Sequence, residues 1–544
     1  MIGFARRIEK TPEMSENSHV DYAVYSKIGK YSDLEGRKDR FVYRFFEILP
    51  GLLAWVTLIL IVALSFSWPV AIAIFIILFD TYWLIKTIYL TFHMRSGFNQ
   101  LKKNLTIDWI EKLDQLPTTH YSLQTTNSWT DIYHFIVLPM YREGIEVVSA
   151  TLDSIVNSDY PKNKMIVVLA QEERAGDHAK MIREIVEREY QNKFFKFVVI
   201  GHPPGIPGEM AGKGSNCTYA ARIVKEKIID PLGIPYDNII CTNFDVDTVA
   251  PKHYFSLLTY KYLTTPDPMR TSYQPVPLYI NNVWEAPALA RVVAFSATFW
   301  HTIQQERPER LTTFSSHSMP FRALVDIDFW QVNMVSEDSR VFWQCFLRYN
   351  GDYRVTPMFY PVNMDANVAA GFWRTMVNIY RQQRRWGYGV ENVPYFLFGF
   401  TKNKLIPFKK KVYYIFNVLE GFHSWATNAL IIFMLGWLPT FVGGPAFNRT
   451  VLSINLPAFT RTIMQLAMLG LISSAVISIT LLPPRPIKYG KFRYAVMILQ
   501  WILFPVTTIL LGAFPGLEAQ TRLALKKYLG FWVTPKSRIM KHES

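Results

Sequence analysis

The sequence predicts an α/β domain with a doubly wound, mostly parallel sheet, joined to an α-helical transmembrane region. Two observations carry this. Short Val- and Ile-rich runs alternate with helical stretches between about 99 and 371. Apolar runs of bilayer length flank that region on both sides. Half of the 544 residues are apolar and only 19% are charged, against about 25% in ordinary soluble domains.

Taken in order, residues 1–44 are polar, without steady period, and read as a cytosolic arm. Residues 45–92 hold two apolar runs, 48–66 and 70–90, separated by Ser67, Trp68 and Pro69, which predicts a helical hairpin across the membrane. Asp80 and Lys86 lie in the second run, and an interfacial position is expected for both, since charge is costly at the bilayer centre. The basic cluster at 37–40, with Lys102 and Lys103, belongs on the cytosolic side. The first apolar run begins too late for a cleaved secretory signal.

The formal net charge is +15. Such a balance suits nucleic acid, anionic membrane or phosphorylated ligands; the apolar content selects membrane, and no nucleic-acid partner is expected. The three cysteines, Cys217, Cys241 and Cys345, have no CxxC spacing, so neither a zinc site nor a disulfide framework is predicted.

Within 99–371, strands are expected at 135–139, 165–170, 195–201 and 239–244, with helices at 146–157, 179–191 and 215–227. In parallel sheets of this kind, ligands bind beyond the carboxyl ends of the strands. The loops there carry Tyr141, Arg142 and Glu143; then Gln171, Glu172, Glu173 and Arg174; then a glycine-rich turn with Lys213; then Asp245-Val246-Asp247. Two carboxylates at i and i+2 past a strand end suit Mg²⁺ or Mn²⁺, hard cations held by a few carboxylate oxygens and substrate phosphates. The Lys213 turn lacks P-loop spacing, and a solvated loop is the plain alternative. Asp338 opens a helical run at 340–349. It is either a helix cap or a general base that takes a proton from a hydroxyl.

Residues 372–412 are read as interfacial amphipathic helices carrying Gln382, Arg385 and Trp386 on one face. Residues 413–517 hold three further apolar runs, at 413–438, 463–482 and 494–514, and 518–544 form a basic tail. Five spans would put Lys526, Lys527 and Lys536 outside, against the positive-inside rule. Either the last run is re-entrant, broken at Pro505, or the number of spans is not five.

In order, the D-x-D at Asp245 and Asp247, the E-D at Glu337 and Asp338, the Q-x-x-R-W at Gln382, Arg385 and Trp386, and the flanking spans resemble the membrane-integrated inverting glycosyltransferases of family 2. Cellulose, chitin and hyaluronan synthases belong to that group. The tail segment Phe531-Trp532-Val533-Thr534-Pro535-Lys536 resembles the gating loop of cellulose synthases. The resemblance implies a GT-A catalytic domain in the cytosol, in a protein of the plasma membrane. Asp245 and Asp247 would hold Mg²⁺ or Mn²⁺, and Asp338 would be the catalytic base. Tyr141, Glu143, Glu172, Lys213, Asp245, Thr534 and Lys536 would surround a nucleotide sugar, expected to be UDP-linked. Gln382, Arg385 and Trp386 would border the acceptor. The implied activity is hexosyl transfer to a growing polysaccharide that leaves through the protein's own membrane channel. A single transfer to a membrane lipid is the alternative, and a channel or transporter with a nucleotide-sensing domain the alternative of another class. Two positions depart from the family: Gln171-Glu172-Glu173 stands where an Asp pair is usual, and Arg142-Glu143 where Asn-Glu is common.

Overall fold

The computed structural model describes residues 22, 25–123, 126–487, 489–490 and 492–534. At its centre is a seven-stranded sheet in the order β3-β2-β1-β4-β6-β5-β7. The strands are β1 (Tyr133–Met140), β2 (Met165–Glu172), β3 (Lys196–His202), β4 (Ile239–Asn243), β5 (Thr271–Leu278), β6 (Ser318–Pro320) and β7 (Arg354–Asn363). The first four pair in parallel, and every residue of β2 and β4 is buried. Strands covered by helices on both faces need apolar side chains on both, which is why these read as continuous Val and Ile runs.

The helices used below are α1 (Arg37–Ser67), α2 (Pro69–Leu105), α3 (Ile145–Val156), α4 (Asp177–Tyr190), α5 (Lys213–Val224), α6 (Ala288–Gln305), α7 (Glu337–Arg348), α8 (Phe372–Gly387), α9 (Phe408–Phe433) and α10 (Val451–Thr480). On α3, Val147, Val148, Thr151, Leu152 and Ile155 are buried, the stripe an amphipathic helix lays on a sheet. Four expected strands and three expected helices of this half are present within a few residues of their predicted ends.

The other half of the sheet departs from the expectation. Strand β6 is only three residues long and antiparallel to β4 and β5, while β5 and β7 are parallel to each other with a register shift between Gln274 and Val276. Pro275 and Pro277 in β5, and Pro357 and Pro361 in β7, remove ladder donors, so neither segment reads as a strand.

Among the described residues, three helices are long and apolar enough to cross a membrane: α1, α2 and the broken helix Phe492–Ala524. The pair Phe408–Phe433 and Leu435–Val442, bent by 47°, would make a fourth. Asp80 lies well inside α2, which extends to Leu105, and is buried against Thr460 of α10. Lys86 donates to Glu420 Oε1 of α9 at 2.6 Å. The N-terminal arm is helical from Arg37, and Tyr25 and Ile28 join the main apolar core.

The two ends of Phe492–Ala524 both reach the sheet-bearing domain or helices attached to it. Near the start, Arg493 donates to the Trp284 carbonyl at 3.3 Å and Trp501 stacks on Phe299 of α6. Near the finish, Glu518 accepts from Tyr380 and Arg384 of α8, and Arg44 of α1 donates to the Leu523 carbonyl.

Candidate active site

Beyond β4 the chain delivers two carboxylates into different surroundings. Asp247 is fully buried, and its Oδ2 accepts the Asp365 backbone N–H at 3.0 Å. Asn281, in the chain after β5, donates to the Asp247 backbone carbonyl at 3.2 Å and to Asp365 Oδ1 at 2.9 Å, which ties the Asp247 backbone to the segment beyond β7. Asp245 is more open. Its Oδ1 accepts from Lys213 Nζ at 2.6 Å and its Oδ2 from Ser315 Oγ at 2.6 Å.

Lys213 is the first residue of α5 and is 7% exposed. The glycines on either side of it permit its position by close approach. A Cβ on Gly212 would lie 2.6 Å from Phe531 Cγ, and one on Gly214 would lie 2.7 Å from the Gln331 carbonyl oxygen and 3.2 Å from Glu337 Cβ. Without side chains there, α5 abuts the start of α7, and the Lys213 ammonium reaches a second carboxylate, Asp338 Oδ2, at 2.9 Å. Burial alone would depress the Lys213 pKa, but the carboxylates of Asp245 and Asp338 raise it well above its ordinary value. The plain alternative of a solvated loop does not describe this lysine.

Asp338 lies in the first turn of α7, where a helix dipole favours negative charge. It does not cap the helix, and neither does Ser336, whose hydroxyl donates to Glu391 Oε1 at 2.6 Å. Besides Lys213, Asp338 accepts from Asn243 Nδ2 at 3.4 Å. His317 Nδ1 is 3.8 Å from Asp338 Oδ1 but donates to the Phe314 carbonyl at 2.9 Å. Burial pushes the His317 pKa down, so the imidazole is neutral. The neighbouring Glu337 is 1% exposed; burial, reinforced by Asp338, pushes its pKa up to about 8.

On α8, Gln382 accepts from Asn367 Nδ2 at 3.3 Å, and the Trp386 ring lies 6.1 Å from that of Tyr279. Both line a small depression together with Asp365, Asn367 and Ile379. Arg385 leaves this group: its guanidinium lies 5.2 Å from the Phe531 ring. The same ring also abuts Gly212, so the tail segment touches both α8 and the Lys213 turn. Thr534 is 5% exposed; Lys536 lies outside the described residues.

Tyr141, Glu143 and Glu172 stand at the ends of β1 and β2. Glu143 turns its carboxylate onto the Tyr141 backbone N–H at 2.7 Å. Glu172 pairs with Arg174, whose guanidinium lies 4.1 Å from the Tyr141 ring centre. Glu172 and Arg174 line a second concavity together with His202 and Glu209, which are joined at 2.8 Å.

Ser315, His317, Asp365 and Tyr279 were not anticipated. All four come from β5–β7 and their loops, where the strands do not announce themselves. The polar run Ser315-Ser316-His317-Ser318 is the trace they leave in the sequence. The fit to a divalent cation is good in chemistry: Asp245 and Asp247 offer hard carboxylate oxygens of the kind Mg²⁺ and Mn²⁺ take.

No protein-family model and no curated protein matches this sequence. Among solved structures, a mannosyltransferase from Pyrobaculum calidifontis in complex with GDP-Man and Mn²⁺ is similar over 72% of this chain and 98% of its own, at 14% identity and a TM-score of 0.39. TarS 1–349 of S. aureus in complex with UDP-GlcNAc is similar over 62% of this chain and 90% of its own, at 12% identity and a TM-score of 0.29. At this distance the chemistry of the site rests on its own residues.

Proposed function

We propose that this protein is a membrane-embedded inverting glycosyltransferase that moves a sugar from a nucleotide donor to the hydroxyl of a growing glycan. The observation that carries the reading is the convergence of Asp245, Asp338 and Lys213 within hydrogen-bond reach, beside a concavity lined by Gln382 and Trp386. An acceptor hydroxyl needs a base, and Asp338 is a carboxylate at a helix start in a partly open position. A leaving diphosphate needs positive charge, which Lys213 supplies. Attack and departure then occupy opposite faces of the sugar carbon, and no covalent enzyme intermediate is required.

Each group has a task. Asp338 accepts the hydroxyl proton. Asp245 and Asp247 would hold Mg²⁺ or Mn²⁺, whose charge would neutralise the diphosphate as it leaves. Trp386 and Tyr279 offer flat faces to the acceptor sugar, and Gln382 orients it. Tyr141, Glu143 and Glu172 border the nucleoside, together with Thr534 of the tail. A UDP-linked donor is the working choice.

The membrane reading is supported by α1 and α2, whose outward faces expose Ile59, Leu78 and Ile85, each more than half accessible. Since the start of Phe492–Ala524 contacts the sheet-bearing domain and its finish contacts α8 and the beginning of α1, we read that run as re-entrant, which returns the basic tail to the cytosol. Cysteines introduced at Tyr489 and Lys526 of a cysteine-free parent should then react from the same side of sealed vesicles; reaction from opposite sides sinks this topology.

The reaction is tested by measuring nucleotide release from a panel of sugar nucleotides with Mn²⁺ and suitable acceptors, followed by sizing of the product. Release with a lengthening glycan is expected. No release from any donor would refute the proposal, and a single added sugar in a lipid extract would replace the polymer by a lipid acceptor.

A further inference from the structure

We propose that Lys213 is an internal counter-ion that holds Asp245 and Asp338 until a nucleoside diphosphate takes its ammonium, so that the divalent cation binds with the nucleotide and not before it. The inference rests on the glycosyltransferase reading and adds an order of events to it.

The two oxygens of Asp245 are engaged on opposite edges, Oδ1 by the Lys213 ammonium and Oδ2 by the Ser315 hydroxyl, both at 2.6 Å. A divalent cation approaching Oδ1 meets a positive charge already in contact with it, and at Oδ2 it meets a donated proton. The ammonium also holds Asp338 Oδ2 at 2.9 Å. A lysine 7% exposed cannot give up these partners to water, since a buried charge without a partner is costly. It leaves Asp245 only for another anion at the same place. The phosphate oxygens of the donor are such an anion, and they bring the cation's remaining ligands with them. The exchange would leave Asp245 free to hold the cation, Lys213 against the diphosphate, and the released Asp338 oxygen free to accept from the acceptor hydroxyl. Ser315 guards the second edge of Asp245 in the same way, more weakly because a hydroxyl carries no net charge.

The test is a Mn²⁺ titration of the full chain in detergent micelles, followed by electron paramagnetic resonance, without nucleotide and again with UDP or GDP. The unaltered protein should bind Mn²⁺ alone weakly and take it up with a nucleoside diphosphate. Lys213→Met and Lys213→Gln should bind Mn²⁺ alone at least about tenfold more tightly than the parent, because removing a nearby like charge favours the second cation. Lys213→Arg, which keeps the charge, should not. Ser315→Ala, with Lys213 intact, should tighten Mn²⁺ alone by about threefold; it decides the matter should neither Lys213 variant fold. Unchanged Mn²⁺ affinity in the folded Lys213 variants, or in Ser315→Ala where only that variant folds, would overturn the proposal. The titration needs no sugar donor, so its failure is separate from a failure to release nucleotide, which would overturn the reading beneath it.

Discussion

The two halves of the sheet build one site by different means. From β3-β2-β1-β4 come the loops of Tyr141, Glu172, Lys213 and Asp245, at the carboxyl ends of parallel strands. From β6-β5-β7 come Ser315, His317, Tyr279 and Asp365, on connections beside an antiparallel strand of three residues. The first half presents charge: Asp245, Lys213 and the Glu172–Arg174 pair. The second presents hydroxyls, rings and backbone N–H groups that fix those charges, as Ser315 fixes Asp245 and the Asp365 N–H fixes Asp247. Asp338, on α7 between β6 and β7, is held by both: by Lys213 and Asn243 from the first, with neutral His317 against it from the second. A site built this way should lose its chemistry when the charged half is altered and its aim when the other half is.

The largest effect is expected from Asp338→Asn. The amide keeps the volume but cannot take a proton, so turnover should fall by roughly a thousandfold, within the range for loss of a general base. Donor binding should stay within a few fold of the parent, as read by fluorescent nucleotide displacement. Turnover within tenfold of the parent would remove Asp338 from the reaction and break the division of labour between the halves.

A smaller and differently shaped loss is expected from Trp386→Ala. The ring belongs to the concavity shared with Tyr279, Asp365 and Gln382. Losing a large aromatic contact of about 2 kcal/mol corresponds to roughly a thirtyfold rise in the acceptor concentration needed for half-maximal rate. The donor requirement should not move. An equal rise for donor and acceptor would place Trp386 on the nucleotide side instead.

This contrast also explains what could be read in advance. The parallel half is buried on both faces, so its strands are unbroken apolar runs, and the residues after each run stand out as polar loops. Asp245, Asp247 and Lys213 were legible for that reason. In the other half, the prolines of β5 and β7 interrupt the pattern, and β6 is shorter than any period can reveal. Ser315 and His317 were therefore invisible as site residues, although they lie within a few ångströms of Asp245 and Asp338. The candidate spans were legible as apolar runs but not as an arrangement. Composition marks Phe492–Ala524 as long enough to span, and only the contacts at its ends show that its start meets the chain after β5 and its finish meets α1 and α8. Arg385 illustrates a finer limit. Helical spacing puts it beside Gln382 and Trp386, yet a long side chain can turn, and it lies against Phe531 instead.

The smallest effect concerns stability, and it isolates the charged half from catalysis. Glu337 sits between Asp338 and the close contact at Gly214, and burial, with Asp338 next, pushes its pKa up to about 8. In the unfolded chain the same carboxyl releases its proton near pH 4.3. Between these values the folded protein holds a proton that the unfolded chain has lost. Stability contributed by this group is therefore complete below about pH 4 and declines as the pH rises, levelling off only above about pH 8. Glu337→Gln carries a permanent neutral amide of the same shape and removes that slope. The melting temperature of the parent should fall between pH 5.5 and 8.5 in one detergent, and that of Glu337→Gln should fall less over the same interval. Parallel pH profiles for the two proteins would mean that Glu337 is ionised in the folded state, and that Lys213 is shared among three carboxylates instead of two.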